Sequence, residues 1–183
     1  TRVRRALAAA GLAEALRAAP PGYVLHVPNA TVDLVAFRSA TRHGVQLLKE
    51  GRADDAAGVL TGGLRLWRGD AFADLVDLPL AALLAPMLDD ERWRAEELRA
   101  EALLTVGRAS DAAVLLADAC AAAPLRERLW ELQAKALTAA GRPADGLRAV
   151  RTGIAAITAQ LGVPPGPDLA GLETALRSRA VAQ

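Results

Sequence analysis

The segment GRASDAAVLL at residues 107–116 has two counterparts in the chain, GRADDAAGVL at residues 51–60 and GRPADGLRAV at residues 141–150. Each segment follows a stretch whose apolar residues recur at helical spacing. Glycine adopts a left-handed backbone conformation at no steric cost, and helices commonly end on such a residue. The glycines that open the segments are therefore predicted to end helices: Gly51, Gly107 and Gly141.

The residues around these glycines indicate paired helices. The next helix is predicted to start three residues after each glycine, where Asp and Ser are good N-caps: Asp54, Ser110 and Ala144. Seven residues before each glycine is a small residue that allows two helices to approach closely: Gly44, Ala100 and Ala134. The last two segments begin 34 residues apart, which is the period of tetratricopeptide repeats. Further residues fit that repeat pattern: Ala112, Leu116, Ala119, Pro124 and Trp130.

Helix pairs are predicted at residues 32–50 and 53–67, 86–106 and 109–122, and 125–140 and 143–161, with a closing helix at 168–180. The first two segments are further apart than the last two, so an insertion near residues 68–90 separates them. Leu78 to Ala85 is predicted as a short extra helix, and Pro86 is predicted to open the long helix, because proline is favoured in the first helical turn.

Composition supports a helical fold. Hydrophobic residues make up 52% of the chain and aromatic residues only 3%, so the core is mostly Leu, Ala and Val. A sandwich of strands would need more aromatic and β-branched residues. We therefore predict an all-α fold of tetratricopeptide-like helix pairs, a right-handed α-solenoid, preceded by a helix and a β-hairpin. Helical repeats of this kind form a groove for a partner.

The first 27 residues differ from the rest. TRVRRALAAAG predicts a basic helix in which Val3 and Leu7 share a buried stripe, and LRAAPPGYVLHV at residues 16–27 predicts a strand, a tight turn and a second strand. This segment holds four arginines against the single acid Glu14, although the net charge of the whole chain is only +1. Guanidinium groups on an exposed helix suit phosphate oxygens and guanine edges.

The sequence gives little support for an enzyme active site or a metal site. His26 alternates with apolar residues in a predicted strand, and His43 lies on an amphipathic helix, so both are interpreted as surface residues. Cys120 lies in an apolar run and is predicted to be a buried structural thiol. The acidic run from Asp89 is interpreted as a solvated helix face, with Asp90 paired to Arg94 four residues on. We recognise no nucleotide-binding or nucleophile motif and expect no cofactor and no catalytic or metal-ligating residues.

Several segments together resemble the actinobacterial regulators of the antibiotic-regulatory (SARP/AfsR-like) family. TRVRRAL and RAAPPGYVLHV resemble the end of that family's recognition helix and its wing. The other resembling segments are VDLVAF at 32–37, LRLWRGDAFADL at 64–75, APLRERLWELQAKAL at 123–137 and LGVPPGPDLAGLETAL at 161–176. The last is the most specific, because composition alone hardly produces its Leu-Gly…Pro-Gly-Pro…Leu pattern.

The resemblance implies two parts. Residues 1–27 would be the C-terminal part of an OmpR-type winged-helix DNA-binding domain, and residues 28–183 a bacterial transcriptional activation domain. Arg2, Arg4 and Arg5 would contact DNA from the recognition helix, and Arg17 would contact phosphate from the wing. Promoter DNA, RNA polymerase and a second copy of the chain are the implied partners. The first half of the winged helix would precede Thr1, so we expect the chain to be part of a longer protein.

Two other hypotheses stand beside that of an activator. The chain could be an interaction module that binds a protein or a regulatory small molecule in its groove and has no DNA contact of its own. An enzyme would need an acid–base pair in a cleft, and none is visible. No run of 18 apolar residues and no signal peptide occurs, so we expect a cytoplasmic protein without a membrane partner.

Overall fold

A computed structural model of the protein describes residues 2–27 and 32–181, without the side chains of residues 180 and 181. The described part is mostly helical and contains one small sheet. A short helix and a two-stranded antiparallel hairpin come first: α1 (Arg2–Ala9), β1 (Leu16–Ala19) and β2 (Gly22–Leu25). Seven helices follow: α2 (Asp33–Lys49), α3 (Ala53–Leu64), α4 (Pro79–Thr105), α5 (Ala109–Ala122), α6 (Glu127–Ala139), α7 (Pro143–Leu161) and α8 (Pro167–Val181).

The predicted glycine turns are confirmed. Gly51, Gly107 and Gly141 have φ angles of 76°, 79° and 79°, and each follows directly after a helix. In the first turn Gly51 N–H donates to the Leu48 carbonyl and Arg52 N–H to the Leu47 carbonyl. This pair of bonds is the Schellman motif, and it satisfies two carbonyls that the helix end leaves free. The same two bonds recur in the other two turns.

The helices begin at residues 53, 109 and 143, as their predicted ranges do, but the N-cap prediction at Asp54, Ser110 and Ala144 is wrong, because an arginine two residues earlier occupies each N-cap. None of these arginines caps the helix with its side chain. Instead each Nε donates to the carboxylate three residues on, at 2.6 to 2.8 Å: Arg52 to Asp55, Arg108 to Asp111, and Arg142 to Asp145. A carboxylate in the first turn also faces the positive end of the helix dipole. The repeated unit is therefore Gly-Arg-x-x-Asp.

Alanine at Gly107 is expected to lower the free energy of unfolding by about 1–2 kcal/mol, since a side chain there would occupy the left-handed region. Gly58→Ala is the matched control. Gly58 lies exposed inside α3 with no atom near an added Cβ, so alanine there is expected to stabilise the protein by roughly 0.5–1 kcal/mol. Urea unfolding followed by circular dichroism measures both, and two effects of the same sign would contradict the prediction.

The small residues predicted at close helix approaches are confirmed. Gly44, Ala100 and Ala134 are all buried, and a Cβ on Gly44 would lie 2.6 Å from Leu60 Cγ. Each helix from α2 to α7 packs on the next, and α2, α4, α6 and α8 also contact one another in order. One continuous apolar core runs through this stack from Leu47 to Leu176.

The prediction that Pro86 opens the long helix is wrong. Pro79 occupies the first turn of α4, and the helix runs through Pro86 without a break. Proline inside a helix removes the hydrogen bond to the carbonyl four residues earlier. That carbonyl belongs to Ala82, which is exposed, so water can replace the lost donor. The separate helix predicted over Leu78–Ala85 is therefore the start of α4.

Candidate functional site

All four arginines predicted to contact DNA are exposed. Arg2, Arg4 and Arg5 lie on α1, and Arg17 lies on β1. The buried stripe predicted on α1 is wrong: Val3 is 58% exposed, and no residue of α1 is buried. The physical reason is that α1 has no extensive packing against any described helix of the array.

Arg4 of α1 contacts the hairpin through the ring of Tyr23. Arg17 pairs with Val24 across the ladder, and the guanidinium carbon of Arg4 lies 5.9 Å from the centre of the Tyr23 ring. This cation–π contact joins α1 to β2, one residue from the position opposite Arg17. The His26 N–H donates to the Ala15 carbonyl at 2.6 Å, which continues the pairing beyond the strands. Arg4 therefore contacts β2 through Tyr23, whereas Arg17 pairs with β2 from β1.

A cavity of about 450 Å³ opens beside the start of α2. Aromatic rings line it: Phe37 and Trp67 meet edge to face at 5.5 Å between centroids, and Phe72 has a φ of 57°. The Arg92 guanidinium lies 5.3 Å from the centre of the Trp67 ring. The cavity was not predicted, because the loop that closes it, residues 65–78, has no periodic pattern.

A groove of about 750 Å³ lies between α5 and α7, with α6 at its floor. Gln133 from α6 lines it, is 7% exposed, and its Oε1 has no hydrogen-bond partner among the described residues. A buried carbonyl oxygen without a donor costs free energy. Val114, which is 74% exposed, stands at the rim. A groove was expected from the repeats, but its position was not.

The acidic run on α4 joins helices rather than forming a solvated face. Glu91 accepts two hydrogen bonds from Arg38 of α2, at 2.6 and 2.7 Å. These bonds lower the pKa of the Glu91 carboxyl below its ordinary value. The predicted Asp90–Arg94 pair is wrong: Asp90 pairs with Arg126 at 2.5 Å, and the same guanidinium binds Glu97. Arg126 precedes α6, so it reaches acids that lie two helical turns apart on α4.

The histidines and the cysteine are not assembled into a reactive site. His26 and His43 are both exposed, on the hairpin end and on α2. Cys120 is buried, and desolvation raises the pKa of its thiol to about 12, so it is not a nucleophile at neutral pH. Within residues 2–27 and 32–181 no group of acidic, His and Cys side chains could hold a metal ion. None of the helices in that part is long and apolar enough to cross a membrane.

Comparison with known proteins shows which family shares this architecture. The family model of the bacterial transcriptional activator domain matches residues 32–177. The regulatory protein EmbR of Mycobacterium tuberculosis is 35% identical over 172 residues, which are 93% of this chain and 44% of EmbR. The regulatory protein DnrI of Streptomyces peucetius is 29% identical over 163 residues, which are 89% of this chain and 60% of DnrI.

A third relative and a solved structure agree. The regulatory protein AfsR of Streptomyces griseus is 31% identical over 159 residues, which are 83% of this chain and 16% of AfsR. The structure of M. tuberculosis EmbR in complex with a low-affinity phosphopeptide superposes with a TM-score of 0.85 at 34% identity, covering 97% of this chain and 47% of EmbR. This chain thus spans less than two thirds of each relative. Each of these relatives is named as a regulatory protein.

Proposed function

Because the chain belongs to the bacterial transcriptional activator domain family, we propose that it is part of a transcriptional activator of the SARP/AfsR-like type. In this proposal residues 1–27 are the end of a winged-helix DNA-binding domain, and residues 28–183 are the activation domain, a right-handed tetratricopeptide-like solenoid. The carrying observation is the basic helix and hairpin directly before the family domain. The proposed boundary adjoins residues 28–31, which lie outside the described part of the chain.

The front segment has the chemistry to bind DNA. Its arginines are exposed on two elements that Arg4 and Tyr23 hold together. Arginine binds phosphate in a two-pronged geometry and reads guanine in the major groove. Arg2, Arg4 and Arg5 on α1 are proposed to enter the groove, and Arg17 on the hairpin to bind a backbone phosphate.

The helical array is proposed to serve dimerisation and contact with RNA polymerase or another regulatory protein. The contacts of α2, α4, α6 and α8 in order support the repeat architecture, because stacked repeats place every first helix beside the next one. Such stacks expose long surfaces, which suit protein partners better than small substrates. The proposed location is the cytoplasm, where the promoter and polymerase are.

The test is a DNA titration of the gene product that contains these residues. Chromosomal fragments captured by the protein identify a bound site, and fluorescence anisotropy then measures its affinity at several salt concentrations. Arg17→Ala is expected to reduce the log–log slope of affinity against salt by about one, because each phosphate contact releases roughly 0.9 counterion. Arg5→Ala is expected to weaken binding to this site by about 1–3 kcal/mol, the usual cost of a lost base contact.

Arg177→Ala is the matched control, since Arg177 is exposed on α8, outside the front segment. Its slope is expected to equal that of the unmodified protein. The proposal fails if Arg17→Ala leaves the slope unchanged and Arg5→Ala leaves the affinity unchanged. The 183-residue chain, tested beside the whole gene product, is expected to bind the same site much more weakly, since its α1 exposes Val3 instead of packing it in a domain.

A second candidate function is a protein- or ligand-binding module without its own DNA contact. The groove between α5 and α7 favours it, because Gln133 Oε1 lacks a donor there. A bound chain could supply that donor after a small side-chain rotation. Specific DNA binding that depends on Arg5 would exclude this candidate.

A further inference from the structure

The first half of α4 carries three large apolar side chains that are mostly exposed. Leu80, Leu83 and Met87 are 66%, 68% and 60% exposed. They are spaced i, i+3 and i+7, so they lie on one side of the helix over about two turns. We call these three residues the α4 face. Soluble proteins rarely expose an ordered apolar stripe unless it binds something.

The sequence that flanks the α4 face is acidic. Residues 69–91 contain no lysine and no arginine. The acids that flank the face in sequence are Asp70, Asp74, Asp77 and Asp89, and none of them forms an ion pair within the described residues. Arg38 and Arg126 neutralise only the two acids that follow, Asp90 and Glu91. The face is therefore an apolar stripe within an acidic stretch of the chain, four of whose aspartates form no ion pair among the described residues.

We propose that the α4 face binds a cationic amphipathic helix of a partner protein. This proposal rests on the proposed function, in which the helical array contacts another protein, and it states the chemistry of that partner. An apolar stripe at i, i+3 and i+7 matches a partner helix with the same spacing. The free aspartates select lysine and arginine on the rim of that helix, because opposite charges across an interface favour the right partner and repel others.

A second copy of the same surface fits poorly. In a two-fold symmetric contact each patch meets itself, so the aspartates around one stripe would face those around the other. Like charges placed together oppose association. The charge pattern therefore favours a partner of opposite sign over self-association through this face.

The test uses a fluorescein-labelled synthetic peptide of 18 residues, with leucines at i, i+3, i+4 and i+7 and lysines elsewhere. Anisotropy titration of the chain is expected to give saturable binding that Leu83→Asn weakens about tenfold, as expected for one lost apolar anchor. Leu161→Asn is the matched control, because Leu161 is also an exposed leucine but ends α7, away from the α4 face and outside the groove lining. It is expected to leave the affinity unchanged.

The contribution of the aspartates to peptide binding is tested separately, with its own control. Asp74→Asn/Asp77→Asn is expected to weaken binding several-fold and to flatten its salt dependence, whereas Asp118→Asn, at an exposed acid on α5, has no effect. The same peptide with glutamate in place of lysine is expected to bind at least tenfold more weakly. Thermal unfolding verifies that the variants remain folded.

Three results would overturn the inference. One is equal affinity in the Leu83→Asn and Leu161→Asn proteins, and another is equal affinity for the lysine and glutamate peptides. The third is a dimer in sedimentation that Leu83→Asn converts to a monomer, since the face would then be the self-association surface. No measurement in this set uses DNA, so its failure is distinct from failure of the proposed DNA binding.

Discussion

Replacing Trp130 with alanine is expected to lower the free energy of unfolding by about 3–5 kcal/mol, the usual cost of removing a buried tryptophan from a core. Trp130 is 9% exposed, and its Nε1 donates to the Pro124 carbonyl at 2.9 Å. Its ring packs directly on the backbone of α7 at Gly153, where an added Cβ would lie 2.5 Å from Cγ of the indole. Urea unfolding followed by circular dichroism measures the loss.

A double-mutant cycle isolates this contact. Gly153→Ala alone is expected to cost about 1–3 kcal/mol, because overpacking a filled site forces neighbours apart. In the Trp130→Ala protein the same glycine change is expected to cost almost nothing, since the ring is gone. Strictly additive effects of the two substitutions would show that α7 does not approach α6 through this pair.

Leu116→Ala is the second large prediction, with an expected loss of about 2–5 kcal/mol. Leu116 is fully buried at the centre of α5. Alanine there leaves a cavity that close-packed helices fill only partly. Val114→Ala is the control two residues away: Val114 is 74% exposed, so its substitution is expected to change stability by no more than about 0.5 kcal/mol.

The same variant tests how the array unfolds. One continuous core runs from Leu47 to Leu176, beside a smaller cluster of Phe37, Leu64 and Ala95. A cavity at Leu116 in the main core is expected to lower the stability of the array in a single transition. Far-ultraviolet circular dichroism and tryptophan fluorescence, which reports on Trp67, Trp93 and Trp130, are then expected to change together. Separate transitions by the two probes would mean that the repeats unfold independently.

The repeat turns could be predicted because their physics is local. A left-handed turn needs a residue without a side chain, so the glycines at residues 51, 107 and 141 predict helix ends directly. The N-caps were predicted two residues late, because Asp and Ser are preferred at that position. In the structure Asp55, Asp111 and Asp145 act from the third helical position through the preceding arginine. That arrangement appears only when the side chains are placed.

The start of α4 could not be predicted from residue preferences. Two prolines, at positions 79 and 86, both suit a first helical turn, and only packing selects between them. The partner of Asp90 was likewise decided by distance in space. The sequence offers Arg94 one turn away, whereas the fold brings Arg126 from the start of α6 within 2.5 Å.

By itself, the sequence determined the helical class, the three glycine turns, the close helix approaches and the basic character of the front segment. These depend on backbone preference, side-chain size and charge, which act over a few residues. Only the tertiary structure decided which arginine meets which acid, where the groove and the aromatic cavity lie, and that Leu80, Leu83 and Met87 face outward. Burial depends on which helices cover a surface, and residues far apart in the chain supply that cover.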